Sequence, residues 1–435
     1  MEVKIRELDG LTYLAARCLQ KGFPVLLGSR PRVWKYFKKH ARDEPIFYIA
    51  KDVRNFNKLR TPNMTFFVLD EEGGGRYTLD GITRSYIVPE IDKIAKTFTW
   101  SEKYNNFFLD HDVPASKLAI TGHPRFDLKK PIFFAYYRDI PTKQNRPQRY
   151  VLINSNWSLG NYIAGTDRLK RMYKTLNRDP AVIDETVRRD SIVLKRMVSL
   201  AKRIAREHPD ITVVLRPHPL EAPEHYKKYF DEPNIQIIKE GNSQLWIVDA
   251  LAVIHRNCGT GMEAFIAGKP VISYLGPEVE FTETAPILVS DVVWDENAAM
   301  ERVSASIAND GKDMLPPEER TRRINLLKNV VANIDFDAAE KIASILQEHA
   351  EAIGAQSYTL PQPRSLFYRT AKKLRRRLKG DHLKELDLIV KKKFPGLRKT
   401  EVEALLAGFR KAIPELPKTR VIEFDIDTFL LVPEG

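Results

Sequence analysis

Cysteine is nearly absent: Cys18 and Cys258 are the only two in 435 residues. Two thiols so far apart exclude a disulfide framework and predict a reducing, cytoplasmic setting. Long apolar runs are missing too. The longest, such as 150–153 and 211–215, are strand-sized, against the roughly 20 residues needed to cross a bilayer. The opening stretch Met-Glu-Val-Lys-Ile-Arg-Glu-Leu-Asp is charged where a signal peptide requires an apolar segment. The expectation is a soluble protein, at most peripheral on the inner face of the cytoplasmic membrane. Cysteines and histidines form no cluster with metal-ligand spacing. The one Asp-X-Asp pattern, Asp425-Ile426-Asp427, lies in the tail. No essential metal and no cofactor is therefore expected.

What is present describes an ordinary globular chain, with 43% hydrophobic and 29% charged residues. The length favours two domains, since single cores stop growing at roughly 250–300 residues. The net charge is +13, from 70 basic and 57 acidic residues, which suits anionic partners. Much of the excess is local. Between residues 364 and 379, Arg364, Arg369, Lys372, Lys373, Arg375, Arg376, Arg377 and Lys379 occur with no acid among them. With Phe367 and Tyr368 beside it, this stripe is predicted either to rest on an anionic membrane surface or to be a solvated helix face. No recognised nucleic-acid module accompanies it, so nucleic acid is not an expected partner.

Short apolar runs alternate with helical patterns through the first part. Strands are predicted at Val3–Ile5, Pro24–Leu27, Ile46–Ala50, Thr65–Leu69 and Leu118–Thr121, with helices at about 9–21, 31–40 and 101–111. That rhythm indicates a parallel sheet covered on both faces. The polar, proline-bearing stretch 138–149 reads as a linker. A second α/β block follows, with strands at Tyr150–Asn154, Ile211–Leu215, Ile235–Ile238, Ala252–His255 and Pro270–Tyr274. Helices lie between and after them, near 188–208, 222–230, 243–250, 260–267, 298–308, 317–334 and 336–353. The predicted domains are 1–140, 150–353 and a basic, helical extension over 354–435. Ligands of such sheets bind beyond the carboxyl ends of the strands, so the loops there hold the candidate site residues.

In Val213-Val214-Leu215-Arg216-Pro217-His218-Pro219 a strand ends on prolines that fix the backbone. Arg216 offers a planar fork to phosphate oxygens, and His218 can donate to phosphate or carry a proton. In Ala252-Val253-Ile254-His255-Arg256-Asn257-Cys258-Gly259-Thr260-Gly261-Met262-Glu263 a strand runs through a glycine-bearing loop into a helix. Gly259 and Gly261 would let N–H groups approach an anion. Thr260 supplies a hydroxyl or a cap, and Glu263 could accept hydrogen bonds from ribose hydroxyls. His255 and Asn257 complete the donor-binding candidates of this loop, while Cys258 reads as a small filler. Asn154, Ser155 and Asn156 follow the first strand of the block, and Asn242 lies in a loop before Trp246. In the first block, Asp70-Glu71-Glu72 follow a strand and precede three glycines. Like-charge repulsion would raise one carboxyl toward general-base duty. In Gly122-His123-Pro124-Arg125-Phe126-Asp127, His123 and Arg125 could contact a sugar or acceptor, and Asp127 is either a catalytic acid or a cap. Lys4 and Arg6 could hold an anionic group or pair with Glu2, Glu7 or Asp9.

Taken together, Arg216–Pro219, the run His255–Glu263 and Gly268-Lys269-Pro270-Val271-Ile272-Ser273-Tyr274 resemble bacterial surface carbohydrate biosynthesis proteins. These are relatives of capsule β-Kdo transferases and CDP-glycerol glycerophosphotransferases. Glu2–Gly10, Phe67–Gly74 and Thr121–Asp127 match the same group, so the resemblance covers about residues 2–350. It implies a GT-B-like fold of two Rossmann-like doubly wound domains facing a cleft, with the donor on the second. It further implies that His218, Pro219 and Thr260 bind the donor phosphate. The expected activity is sugar transfer, such as of Kdo, from a nucleotide donor linked to CMP or CDP onto a surface glycan or lipid-linked glycan acceptor. Glu71, Glu72, Asp127 and His218 are the catalytic candidates. The alternatives are a CDP-polyol phosphotransferase, a sugar-nucleotide epimerase and a non-enzymatic glycan- or lipid-binding scaffold.

Overall fold

The structure, a computed structural model, describes residues 1–40, 46–52, 64–71, 94–142, 146–162, 165–175, 179–276, 284–354 and 394–434. Glu72, the glycines after it, the basic stripe 364–379 and the rest of the extension up to residue 393 lie outside the described residues. The described strands are β1 (Val25–Gly28), β2 (Ile46–Ala50), β3 (Met64–Leu69), β4 (Lys96–Thr99), β5 (Leu118–Ile120), β6 (Tyr150–Asn154), β7 (Thr212–Arg216), β8 (Ile235–Ile237), β9 (Ala252–His255), β10 (Val271–Tyr274), β11 (Asp291–Val293), β12 (Thr419–Asp425) and β13 (Thr428–Pro433). The chain divides into two α/β units, one of Met1–Tyr136 with Lys328–Gly435, the other of Tyr137–Leu327.

The second unit carries a six-stranded sheet in the order β11-β10-β9-β6-β7-β8, every described pair parallel. Its central strands are apolar without alternation because helices cover both faces. All five residues of β6 and all four of β9 are buried. Each buried Val, Leu or Ile contributes about 1.5–3 kcal/mol. The helix Ala181–Glu207 lays Val193, Leu194, Met197, Ala201, Ile204 and Ala205 on the core, at the spacing of one helical face.

The first unit holds a four-stranded parallel sheet, β2-β3-β4-β5. Phe67 and Phe98 stack on neighbouring strands with ring centroids 5.8 Å apart. Two expectations are corrected here. The residues expected to form a strand at Val3–Ile5 instead begin the helix Lys4–Gln20. The reason is its spacing: Leu8, Thr12, Ala15, Ala16 and Leu19 share one buried face, while Ile5 is exposed. Strand β1 does not join the parallel sheet. It pairs antiparallel with β13, Val25 opposite Leu431, in a separate sheet β1-β13-β12.

The described residues 394–434 of the extension, and residues 328–353, group with the first unit. Helix Lys399–Ala412 sets Phe409 against Tyr13 at 5.4 Å, Phe133 at 6.0 Å and Tyr136 at 5.4 Å. Lys4 Nζ donates to both Glu401 oxygens at 2.8 Å. Helix Ala338–Ala352 is fixed to the same unit through Asp337, which accepts hydrogen bonds from Tyr13 and, at 2.6 Å, Arg17. Asp425-Ile426-Asp427 closes the β12–β13 hairpin. Asp427 has φ +56° and accepts the Leu397 N–H at 3.0 Å, so its carboxylate serves the turn.

Candidate functional site

In the second unit, β6 is followed in the chain by β7 on one side and β9 on the other. The strand order reverses there, and ligands of open α/β sheets bind at that point. Asn154 ends β6 and is 4% exposed; its Nδ2 has no partner among the described residues. Asn156 Nδ2 donates to the Asn257 carbonyl, joining the loops after β6 and β9 across the reversal. Its Oδ1 is buried and has no hydrogen-bond partner among the described residues. Ser155 points the other way, donating to Glu221 Oε2 at 2.7 Å and accepting the His218 N–H at 2.7 Å.

The loop after β7 divides its expected roles. Arg216 is not turned to a ligand: its fork donates to the carbonyls of Glu240 at 2.6 Å and Gly241 at 2.9 Å. Burial lowers its pKa to about 10. The two carbonyls come from a loop in which Gly241 has φ +65°; the guanidinium bonds both, and Trp246 Nε1 also donates to the Glu240 carbonyl at 2.9 Å. His218 accepts the Leu220 N–H on Nδ1 at 3.2 Å. In a neutral ring the proton then sits on Nε2, the donor form expected for a phosphate contact. Pro219 is exposed, and its carbonyl takes Lys239 Nζ at 3.0 Å.

Two residues without any signal in the spacing complete this edge, Glu221 and Tyr226. Glu221 has no exposed surface, and its Oε2 accepts from Ser155 and, at 2.6 Å, from the Tyr226 hydroxyl. Burial pushes its carboxyl up to about 7, against the pull of those two hydroxyls. The turn that closes on His218, with Glu221 N–H donating to its carbonyl at 2.8 Å, is what returns this acid to the site.

In the loop after β9, His255 is corrected from ligand contact to scaffold. It is fully buried, accepts the Cys258 N–H on Nδ1 at 3.2 Å and donates from Nε2 to Ser290 at 3.0 Å. Burial pushes the ring down to about 3, keeping it neutral. Gly261 exists for the same ring: a Cβ there would stand 2.3 Å from His255 Nε2, whereas Gly259 opens on empty space. The buried Thr260 hydroxyl faces the Cys258 thiol. Asn257 accepts from Thr284 at 2.6 Å, Asn242 receives the Leu245 N–H at 3.1 Å as a cap, and Glu263 accepts from Ser243 at 2.5 Å. Cys258 is a half-buried thiol whose pKa desolvation raises, against hydrogen bonds from Thr260.

In the first unit Glu71 is 3% exposed, with Oε2 3.4 Å from His123 Nε2. Burial alone would raise its pKa, but His123, Arg125 and Arg6 together hold it below the ordinary value. The expected like-charge elevation is therefore absent at Glu71. His123 accepts the Arg125 N–H on Nδ1 at 3.2 Å, so both ring nitrogens serve this cluster. Arg125 lies over Trp100 at 4.8 Å and reaches the Glu71 carbonyl at 3.4 Å. Arg6 pairs with Glu7 at 3.3 Å, one of the expected pairings. Lys4 pairs with Glu401 at 2.8 Å.

Asp127 caps a helix, and burial with the nearby Asp337 pushes its carboxyl up to about 7. It accepts Asn333 Nδ2 at 2.8 Å and the N–H groups of Ala338 and Ala339 at 3.0 Å each, at the start of helix Ala338–Ala352. Among the described residues no group of three or more His, Cys, Asp or Glu is placed to hold a metal ion. No described helix is long and apolar enough to cross a membrane.

No family model matches the chain, and no curated protein sequence is similar to it. Solved structures are similar in fold. The MnaA–UDP structure of S. aureus has a TM-score of 0.41 at 11% identity, covering 76% of this chain and 80% of that one. UDP-GlcNAc 2-epimerase of Methanocaldococcus jannaschii gives 0.40 at 15% identity, covering 73% and 80%. A variant of the wall teichoic acid polymerase TagF gives 0.41 at 10% identity, covering 71% and 74%. At these scores the likenesses carry no functional argument.

Proposed function

We propose that unit Tyr137–Leu327 binds the nucleotide of an activated sugar, and that the protein is a glycosyltransferase of surface glycan assembly. The carrying observation is at the strand-order reversal, where the buried Asn154 Nδ2 and Asn156 Oδ1 have no partner among the described residues and the buried Thr260 hydroxyl faces the Cys258 thiol. A buried polar group left unsatisfied costs about 1–3 kcal/mol. A ligand that brings an acceptor oxygen to Asn154 and a donor to Asn156 removes that cost. A phosphate next to a hydroxylated sugar or an amino-bearing base has this chemistry. With Arg216 committed elsewhere, the charge on a departing phosphate falls to His218 Nε2 and to the Thr260 and Asn154 dipoles. The cytidine assignment, as CMP or CDP, rests on the resemblance at Arg216–Pro219 and His255–Glu263. So does transfer of an acidic sugar such as Kdo.

Among the catalytic candidates of the first unit, Glu71 is the carboxylate this reading retains. Its cationic surroundings keep it ionised, which suits stabilising positive charge at an anomeric carbon better than storing a proton. Contact with an anionic membrane through 364–379 belongs to the same reading, and co-sedimentation with anionic vesicles tests it.

Thermal-shift measurements with CMP, CDP, UDP and GDP test the nucleotide site. A ligand at a hundredfold excess over Kd stabilises by about 2.7 kcal/mol. Cytidine nucleotides are expected to raise Tm, and Thr260→Val to reduce the shift. A protein that responds to none of the four does not have this function. Turnover of a CMP-sugar against CDP-glycerol then separates attack at carbon from attack at phosphorus.

A further inference from the structure

The backbone of His218 is held on both sides by one buried residue. Glu221 N–H donates to the His218 carbonyl at 2.8 Å. On the other side, Glu221 Oε2 accepts from Ser155 Oγ at 2.7 Å, and that same oxygen of Ser155 accepts the His218 N–H at 2.7 Å. The carboxyl is itself anchored. Tyr226 donates to Oε2 at 2.6 Å and receives Trp157 Nε1 at 2.8 Å, and both rings are fully buried. Glu221 Oε1 is buried and has no hydrogen-bond partner among the described residues. Lys239, the nearby cation, donates to the backbone carbonyls of Pro219 and Glu221.

A carboxylate here would leave one charged oxygen without a donor in a site that has no water-facing surface, which is costly. The neutral acid avoids that cost. With both hydroxyls donating to Oε2, its proton resides on Oε1.

We propose that Glu221 is a positioning residue: through the Ser155 hydroxyl it fixes the His218 backbone, and with it the imidazole, against the phosphate of the bound nucleotide. This rests on the nucleotide-binding reading of the same edge. Two neighbouring strand ends, β6 and β7, are tied into one rigid surface by a group that touches neither phosphate nor sugar. The groups facing the carboxyl are Ser155 from the β6 loop, His218 from its own turn, Tyr226 and Trp157 beneath it, Lys239 from the segment after β8 and the Cys258 thiol, which senses its charge.

Gln keeps the shape and an accepting oxygen, whereas Ala removes both. The test compares Glu221→Gln and Glu221→Ala in the full chain by hydrogen exchange at the His218 amide and by titration with CMP. Ala is expected to cost about tenfold or more in His218 protection and in CMP affinity, while Gln retains both. Wild type is expected to lose CMP affinity relative to Gln from about pH 6 to about pH 8.5, since only wild type ionises. Unchanged His218 protection in the Ala variant overturns the proposal, as does a Gln variant that behaves like Ala or shares the wild-type pH profile. Wild type that fails to bind CMP while Ala still loses His218 protection sinks the nucleotide reading and leaves the positioning of His218 intact.

Discussion

Replacing Asp127 with alanine separates a structural acid from a chemical one. Its two oxygens accept Asn333 Nδ2, Ala338 N–H and Ala339 N–H, and Lys130 Nζ lies at 3.3 Å. The side chain is 1% exposed, so the three donors have no ready access to water once the carboxylate is gone. Each stranded donor costs about 1–3 kcal/mol, and the lost helix cap about 1 kcal/mol. Partial relaxation brings the expected sum to about 3–5 kcal/mol. Asp127→Asn retains one accepting oxygen and is expected to lose about half as much. Urea unfolding gives the stability, and hydrogen exchange at Ala338 and Ala339 shows whether the loss is at that helix end. An alanine variant with unchanged unfolding and normal exchange, but with sugar transfer abolished, would refute the capping account and return Asp127 to the reacting atoms.

Other expectations follow from particular contacts. The raised Glu221 pKa, about 7 against an ordinary 4.5, means that the folded protein holds a proton which the unfolded chain releases. Its contribution is fully present below pH 4.5 and is lost as pH rises through 7. Wild type should therefore lose about 3 kcal/mol relative to Glu221→Gln across that window. Urea midpoints on either side of it measure this, and parallel curves would contradict it. Gly261→Ala drives a methyl into His255 and should cost about 1–3 kcal/mol. Gly259→Ala, with φ −53° and open space, should leave the thermal midpoint nearly unchanged. A double-mutant cycle between Lys4 and Glu401, a part-exposed pair at 2.8 Å, should give a coupling of about 0.5–1 kcal/mol. No coupling would show that the C-terminal helix is held by its apolar face alone.

Much of the second unit was legible because its strands are apolar runs of strand length, buried on both faces. Tyr150–Asn154 and Ala252–His255 were bounded correctly for that reason. The polar residues directly after them, Asn154 to Asn156 and Asn257 to Thr260, fall at the reversal of strand order. Elsewhere local pattern misled. Val3 and Ile5 alternate as a strand would, but a helical face starting at Leu8 overrides them. Arg216 looked free for phosphate because nothing in its neighbourhood reveals that Glu240 and Gly241 carbonyls would claim it. Gly261 was read as room for an anion, yet the room is taken by His255. Glu221 and the β1–β13 pairing were missed for one reason: each depends on partners that spacing alone does not bring together.

In sequence the second unit is inserted into the first, whose two chain segments are joined by the pairing of β1 with β13. Residues 1–136 cannot complete their smaller sheet until residues 428–431 have been synthesised and delivered to Val25–Gly28. The inserted unit, whose sheet lies wholly within 137–327, has no such wait. During synthesis the part made first is thus completed last. Until then it presents an open strand edge, the kind of surface that attracts mispairing and chaperones. A short deletion at the far C-terminus is accordingly expected to be felt at the N-terminus, as aggregation of a chain whose second unit has folded correctly.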